Sequence, residues 1–140
     1  MILFQTQDMK TIETAANFIR RKEQQFRCEL EKKKPVMMKD IGRKGRHAFI
    51  RKAWTFMPQY NLSEKVFMIE RLEKSGIEGS IVHKQTHRTG EVEYRIGYFI
   101  VGKIGFLRGR WAWGQFCPII PAKDLHKLLA KARKDGTLKE

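Results

Sequence analysis

Acidic residues are scarce in this sequence. Fifteen Asp and Glu stand against twenty-nine Lys and Arg, giving a formal net charge of +14 and a sequence pI near 10.1. Such an excess works against compactness unless a polyanion offsets the self-repulsion. It points to nucleic acid first, then to an anionic membrane surface, then to an acidic protein. Cysteine is scarcer still: Cys28 and Cys117 are far apart and match no metal-ligand or redox spacing. They read as two buried free thiols in a reducing compartment. Long apolar runs are also missing. No window approaches the roughly 18 residues of a membrane span, and "MILFQTQDMK" lacks the basic n-region and apolar length of a signal peptide. A cytoplasmic protein with no membrane partner is expected.

Catalytic patterns are equally thin. Neither Ser63 nor Ser80 lies in a G-x-S-x-G elbow, and no Walker or dinucleotide glycine pattern occurs. His83 and His87 are four apart, which in a strand is about 13 Å at ~3.3 Å per residue, too far to share a metal. Glu91 and Glu93 on one strand face, with Lys103, would suit a metal-dependent nuclease, but such pairs are common on wet strands. No catalytic residue, cofactor or metal ligand is assigned.

What is present is one domain's worth of helix and strand signals over 140 residues. From Asp8 to about Lys32, Ile12, Ala15, Ala16, Ile19, Phe26 and Leu30 fall at helical spacing. Pro35 ends that helix, and its final lysines suit the helix dipole. A short strand is expected at Val36 to Ile41, then a Gly-Arg-Lys-Gly turn. Phe49, Ile50, Ala53, Trp54 and Met57 recur at steps of 1, 3, 1 and 3, which predicts a central basic helix closed by Pro58. "QYNLS" is a loop. Over Lys65 to Glu73, Ser63 could cap a helix while Val66, Phe67 and Ile69 favour a strand. The strand is preferred, because "KSGIEGS" looks like a hairpin connection into "SIVHKQTH". "EVEYRIGYFIVGK" alternates Val92, Tyr94, Ile96, Tyr98 and Ile100 on one face. "KIGFLRG" is a glycine-punctuated loop, and "RWAWGQFCPII" a strand with Trp111 and Trp113 on one side. Leu125, Leu128, Leu129 and Ala132 mark a last helix entered through Pro121 and stopped by Gly136. The expected fold is α+β: an antiparallel meander of three to five strands flanked by a long N-terminal helix, a central basic helix and a C-terminal helix. Its parts are residues 1–34, a core over 35–120, and residues 121–140.

Basic and aromatic residues carry the functional reading. Single-stranded nucleic acid is held by cations along the phosphates and by aromatic faces on which bases stack. Arg43, Lys44, Arg46, Arg51 and Lys52 lie in a run from Ile41 to Tyr60 that contains no acid, whereas ordinary solvated faces mix the signs. Lys84, His87 and Arg88 sit at a hairpin, and Lys103, Arg108 and Arg110 stand beside Phe106, Trp111 and Trp113. These cations and the two tryptophans form the candidate binding set, although Phe49, Trp54, Trp111 and Trp113 are equally suited to a core.

The stretch "PVMMKDIGRKGRHAFIRKAWTFMPQYNLSEKVFMIERLEKSG" resembles the archaeal and phage members of the single-strand annealing recombinase superfamily. The similarity covers residues 35–102: strand, basic turn, helix with tryptophan, Asn-Leu-Ser loop, meander. It implies a protein that binds DNA strands without nucleotide hydrolysis, often as a homo-oligomeric ring or filament, in recombination, repair or mobile-element biology. By the same resemblance, Arg43, Lys44, Arg46, Arg51, Lys52, Lys84 and Arg88 lie on phosphates. The C-terminal "RWAWGQFCPIIPAKDLHKLLAKARKDG" departs from that pattern, lacking the expected arginine-rich helix. The expected function is a non-enzymatic DNA- or RNA-binding protein for single-stranded or irregular substrates. Its rivals are a small phage or mobile-element interaction module with an acidic protein partner, a component of an RNA-protein assembly, and the nuclease.

Overall fold

The computed structural model describes residues 11–39, 45–81 and 88–139. Helix α1, Ala15–Glu31, opens where the Thr14 hydroxyl accepts a hydrogen bond from the Asn17 amide, a side-chain cap that satisfies one orphan N–H. It is therefore shorter than the helix expected from Asp8, whose first positions lie outside the described residues. Its lysines fall after the last turn rather than in it. Lys32 is the C-cap and Lys33 adopts φ 52°, so the chain has already left the helix before Pro35.

Five strands follow in an antiparallel meander, ordered β1 to β5 across the sheet: β1 Val36–Lys39, β2 Arg46–Gln59, β3 Leu62–Glu78, β4 Val92–Val101 and β5 Trp111–Trp113. Helix α2, Ala122–Lys134, begins after Pro121 and ends before Gly136 at φ 77°, as its sequence signals require. The fold is α+β, with a helix on each face of the sheet. On the α1 face, Phe18 and Phe26 pack with Phe56, Val66, Met68 and Phe99, edged by Trp54 and Trp111. On the α2 face, Leu128 and Ala132 pack with Phe67 and Ile69.

The expected central helix is strand β2. Two physical causes made strand spacing look helical. Both sheet faces are covered, so apolar residues occupy both: Trp54 packs towards α1, Met57 towards α2. In addition, β2 bulges between Arg51, opposite Leu72, and Ala53, opposite Arg71. Lys52 is the extra residue, and the inward alternation slips by one across it. The "KSGI" segment also differs from its expected role as a hairpin connection, because β3 continues through it to Glu78, pairing Gly76 with Ala48. The β3 reading for Lys65 to Glu73 stands, and β2 and β3 are joined by a tight turn at Tyr60 and Asn61. Residues 82–87, the expected "SIVHKQTH" strand with His83, lie outside the described residues but for Ser80 and Ile81, which are not in a strand.

In β4 the expected set Val92, Tyr94, Ile96, Tyr98 and Ile100 does share a face, the α2 face. The more deeply buried set is the opposite one, Gly97, Phe99 and Val101. Trp111 and Trp113 share the α1 face. Trp111 stacks on Phe18 with ring centroids 4.6 Å apart and donates from Nε1 to the Glu13 carbonyl at 2.8 Å. Cys28 and Cys117 are free but exposed, not buried. No described helix is long and apolar enough to cross a membrane.

Candidate nucleic-acid interface

The acid-free run from Ile41 to Tyr60 is explained by strand pairing. Its counter-charges sit on β3. Arg46 pairs with Glu78 directly opposite, Lys52 Nζ lies 3.7 Å from Glu73, and Arg51 Nε donates to Glu70 at 2.9 Å. Arg51 also donates to Glu29 of α1 at 3.0 Å and lies over the Phe26 ring at 3.8 Å. Glu70 is fully buried, and its other oxygen accepts from Arg95 of β4. The described cations of the run are thus bound to carboxylates. Arg43 and Lys44, expected in the basic turn, lie outside the described residues, as do Lys84 and His87.

The remaining expected residues divide. Arg88 lies 3.8 Å from Glu91, and Lys103 pairs with Glu64. Arg110 lies over Phe106 at 4.7 Å, in a loop tightened by a 3-10 turn at Gly105–Leu107, and Arg108 follows that turn. Trp111 belongs to the core edge. Trp113 is 37% exposed, with Phe99 edge-on at 5.0 Å and the Arg95 guanidinium 4.7 Å from its centroid. Glu91 and Glu93 both meet Lys74, at 3.4 and 3.0 Å. The hydrogen bonds that the Lys74 ammonium donates to them, that to Glu93 first, hold it above its usual pKa. Lys103, the partner a nuclease reading requires, is tied to Glu64. Among the described residues no group of three or more His, Cys, Asp or Glu could hold a metal ion.

A cationic surface does emerge on α2, whose apolar spacing by itself marks only a core helix. At about 100° per residue, Lys123, Lys127, Lys131 and Lys134 fall within an arc of about 80°. Arg133 lies about 80° outside it, and all five are exposed. The stripe runs about 16 Å along the helix at 1.5 Å per residue. Its local acids are engaged: Asp124 is buried and accepts from the Tyr60 amide at 3.0 Å, while Asp135 lies 3.1 Å from Lys131. The Tyr60 hydrogen bond brings the β2–β3 turn to the start of α2. There Tyr60 is 55% exposed, and its ring lies 4.9 Å beneath the Lys123 ammonium. At the other end, Thr137 donates to the Trp54 carbonyl at 2.9 Å, and Arg71 donates to the Gly136 carbonyl at 2.9 Å, fixing the helix exit against the sheet. The four-residue lysine spacing was visible in the sequence, but the neighbouring Tyr60 was not.

No protein-family model, curated protein or solved structure matches the chain.

Proposed function

We propose that this protein binds nucleic acid, holding the phosphate backbone along the outer face of α2 and offering Tyr60 to an unpaired base. The observation that carries this reading is the exposed stripe of Lys123, Lys127 and Lys134, with Lys131 between them paired to Asp135 and the other nearby acid, Asp124, buried. Lysines one turn apart rise about 6 Å along the helix, a ladder of point charges suited to successive phosphates. An exposed aromatic at the end of such a ladder is the arrangement that single strands exploit, because every base has a stacking face. Arg43, Lys44, Lys84 and Arg88 would extend this reading to the turn and hairpin expected from the sequence. The DNA-strand annealing role implied by the recombinase resemblance is a further proposal, although the element bearing Trp54 is a strand here rather than that pattern's helix.

The test is binding to labelled single- and double-stranded DNA and RNA across salt concentrations. Affinity should fall steeply with salt, by about 0.7 in log-log slope per single-strand phosphate neutralised. Reversing Lys123, Lys127 and Lys134 to Glu should lower that slope by about 2. A folded triple variant with unchanged affinity and slope would refute the assignment to α2.

A second reading, a module with an acidic protein partner, has its own observation. Ile104 and Phe106 are 84% and 81% exposed at the tip of a loop bearing Lys103, Arg108 and Arg110. Capture of one defined partner that survives nuclease treatment and is lost with Ile104→Ser and Phe106→Ser would favour it.

A further inference from the structure

Behind the α2 face, on the opposite side of the sheet, a cavity of about 350 Å³ opens between α1 and the strands. That volume lies within the range of roughly 300–1,000 Å³ usual for small-molecule sites. Its apolar and aromatic lining is Phe26, Met68, Phe99 and Trp113, with Pro35 and Val36. Its polar lining is mostly cationic: Lys22, Lys34, Arg51 and Arg95, with Gln25 and one carboxylate, Glu29.

The charges in and beneath this cavity do not balance. The four cations face two carboxylates, Glu29 in the wall and the buried Glu70 under the two arginines, which leaves a surplus of two positive charges. Arg95 uses Nε on Glu70, and its terminal nitrogens have no acceptor among the described residues. Lys22 Nζ lies 5.3 Å over the Phe99 ring and, among the described residues, donates only to the Gln25 side chain, at 3.2 Å. Burial, then the charges of Arg21 and Arg51, pushes the Lys22 ammonium below its usual pKa, and an anion beside it would relieve that strain.

We propose that this cavity is a binding site for a planar aromatic phosphate monoester. The charge surplus selects the anion: a phosphate monoester carries about −1.5 to −2 at neutral pH and matches it, where a single carboxylate would not. The fork of Arg95 offers the paired donors that phosphate oxygens accept, with Lys22 as the point charge beside it. The Trp113 and Phe99 rings supply the wall for the flat apolar part. Choosing a nucleotide as the aromatic phosphate rests on the nucleic-acid reading. Two sources share that chemistry, a free nucleoside monophosphate and the phosphorylated end of a strand.

The experiment is a tryptophan-fluorescence titration of the whole protein with AMP, adenosine and inorganic phosphate, and then with one short oligonucleotide with and without a 5′-phosphate. AMP should bind saturably and at least about tenfold tighter than adenosine or phosphate, as expected when a charged hydrogen-bonding group is removed. Lys22→Met, which keeps the apolar stem, should weaken AMP about tenfold, and Trp113→Phe should abolish the fluorescence change. Arg95→Gln should weaken AMP more; if it does not fold, Lys22→Met decides. A 5′-phosphate that improves oligonucleotide competition against AMP identifies the strand end as the source, and equal competition identifies the free nucleotide. No saturable AMP binding, or AMP binding that Lys22→Met leaves unchanged, overturns the proposal. The α2 triple variant should still bind AMP. Oligonucleotide binding without AMP binding would therefore sink the cavity alone, and oligonucleotide binding indifferent to α2 would sink the phosphate-ladder reading alone.

Discussion

Arg51 donates from Nε to the Glu70 carboxylate at 2.9 Å, and Glu70 has no solvent exposure at all. Through this bond an acid-free strand is neutralised by its neighbour, and through Arg95 the same carboxylate ties in β4. One buried negative charge thus holds three strands, with Glu29 linking them to α1. Removing one member of such a cluster leaves charge uncompensated in the interior, which typically costs about 3–5 kcal/mol. Glu70→Gln should therefore fall near the lower end, about 3 kcal/mol, since Arg95 is partly exposed. Urea unfolding followed by circular dichroism measures it, and a midpoint equal to wild type would show that the cluster contributes nothing to stability.

Tyr60 separates stacking from charge. Its backbone amide, not its ring, bonds to Asp124, so Tyr60→Ala leaves that link to α2 in place. Loss of one stacked base should weaken single-stranded binding by about 1–3 kcal/mol. Duplex affinity, whose bases are not free to stack on the ring, should change little, and the salt slope should be unaltered. Anisotropy titrations of both substrates with the variant test this; an equal loss on both would assign Tyr60 to the backbone rather than to bases.

The elements that were legible in the sequence are those whose signals are local. β4 alternates apolar residues from Val92 to Tyr98, and α2 carries its apolar set between Pro121 and Gly136. β2 was misread because its phase depends on Lys52, a bulge residue that only the pairing with β3 reveals. The same long-range register hid the meaning of the acid-free run, whose partners Glu70, Glu73 and Glu78 lie on the following strand. Charge excess in a linear window is a weak guide when the neighbouring strand carries the opposite sign. The lysine spacing of α2 is local and could have been found. Leu125, Leu128, Leu129 and Ala132 already account for the helix as a core element, and the burial of Asp124 at its start is visible only in the fold.

Gly97 makes room for Trp113. A Cβ built on Gly97 would lie 2.2 Å from Trp113 Cη2, so the indole rests directly over the β4 backbone. Gly97→Ala must push the ring aside, and overpacking of this kind typically costs about 1–3 kcal/mol. Since Trp113 also meets Phe99 and Arg95, its displacement should shift tryptophan emission in the native state as well as lower stability. An unchanged emission spectrum with unchanged stability would mean that the ring has another place to go.

Lys74 supplies a pH test with a definite sign. Its side chain is nearly buried, and the hydrogen bond from its ammonium to Glu93, with Glu91 beside it, raises its pKa above the ordinary value of 10.5. A group whose pKa is higher in the folded state stabilises the fold fully below the unfolded value and loses that contribution as pH rises through the folded one. Wild-type stability should therefore decline on titration past 10.5 more than that of Lys74→Met, which has no proton to lose there. Other lysines and tyrosines titrate in both proteins, so the difference between their urea midpoints isolates Lys74. The gap should be constant from neutral pH to about 9, because neither state then releases this proton, and should narrow beyond 10.5. A gap that stayed constant throughout, or widened at high pH, would show that the carboxylates of Glu91 and Glu93 do not hold the Lys74 proton in the native state.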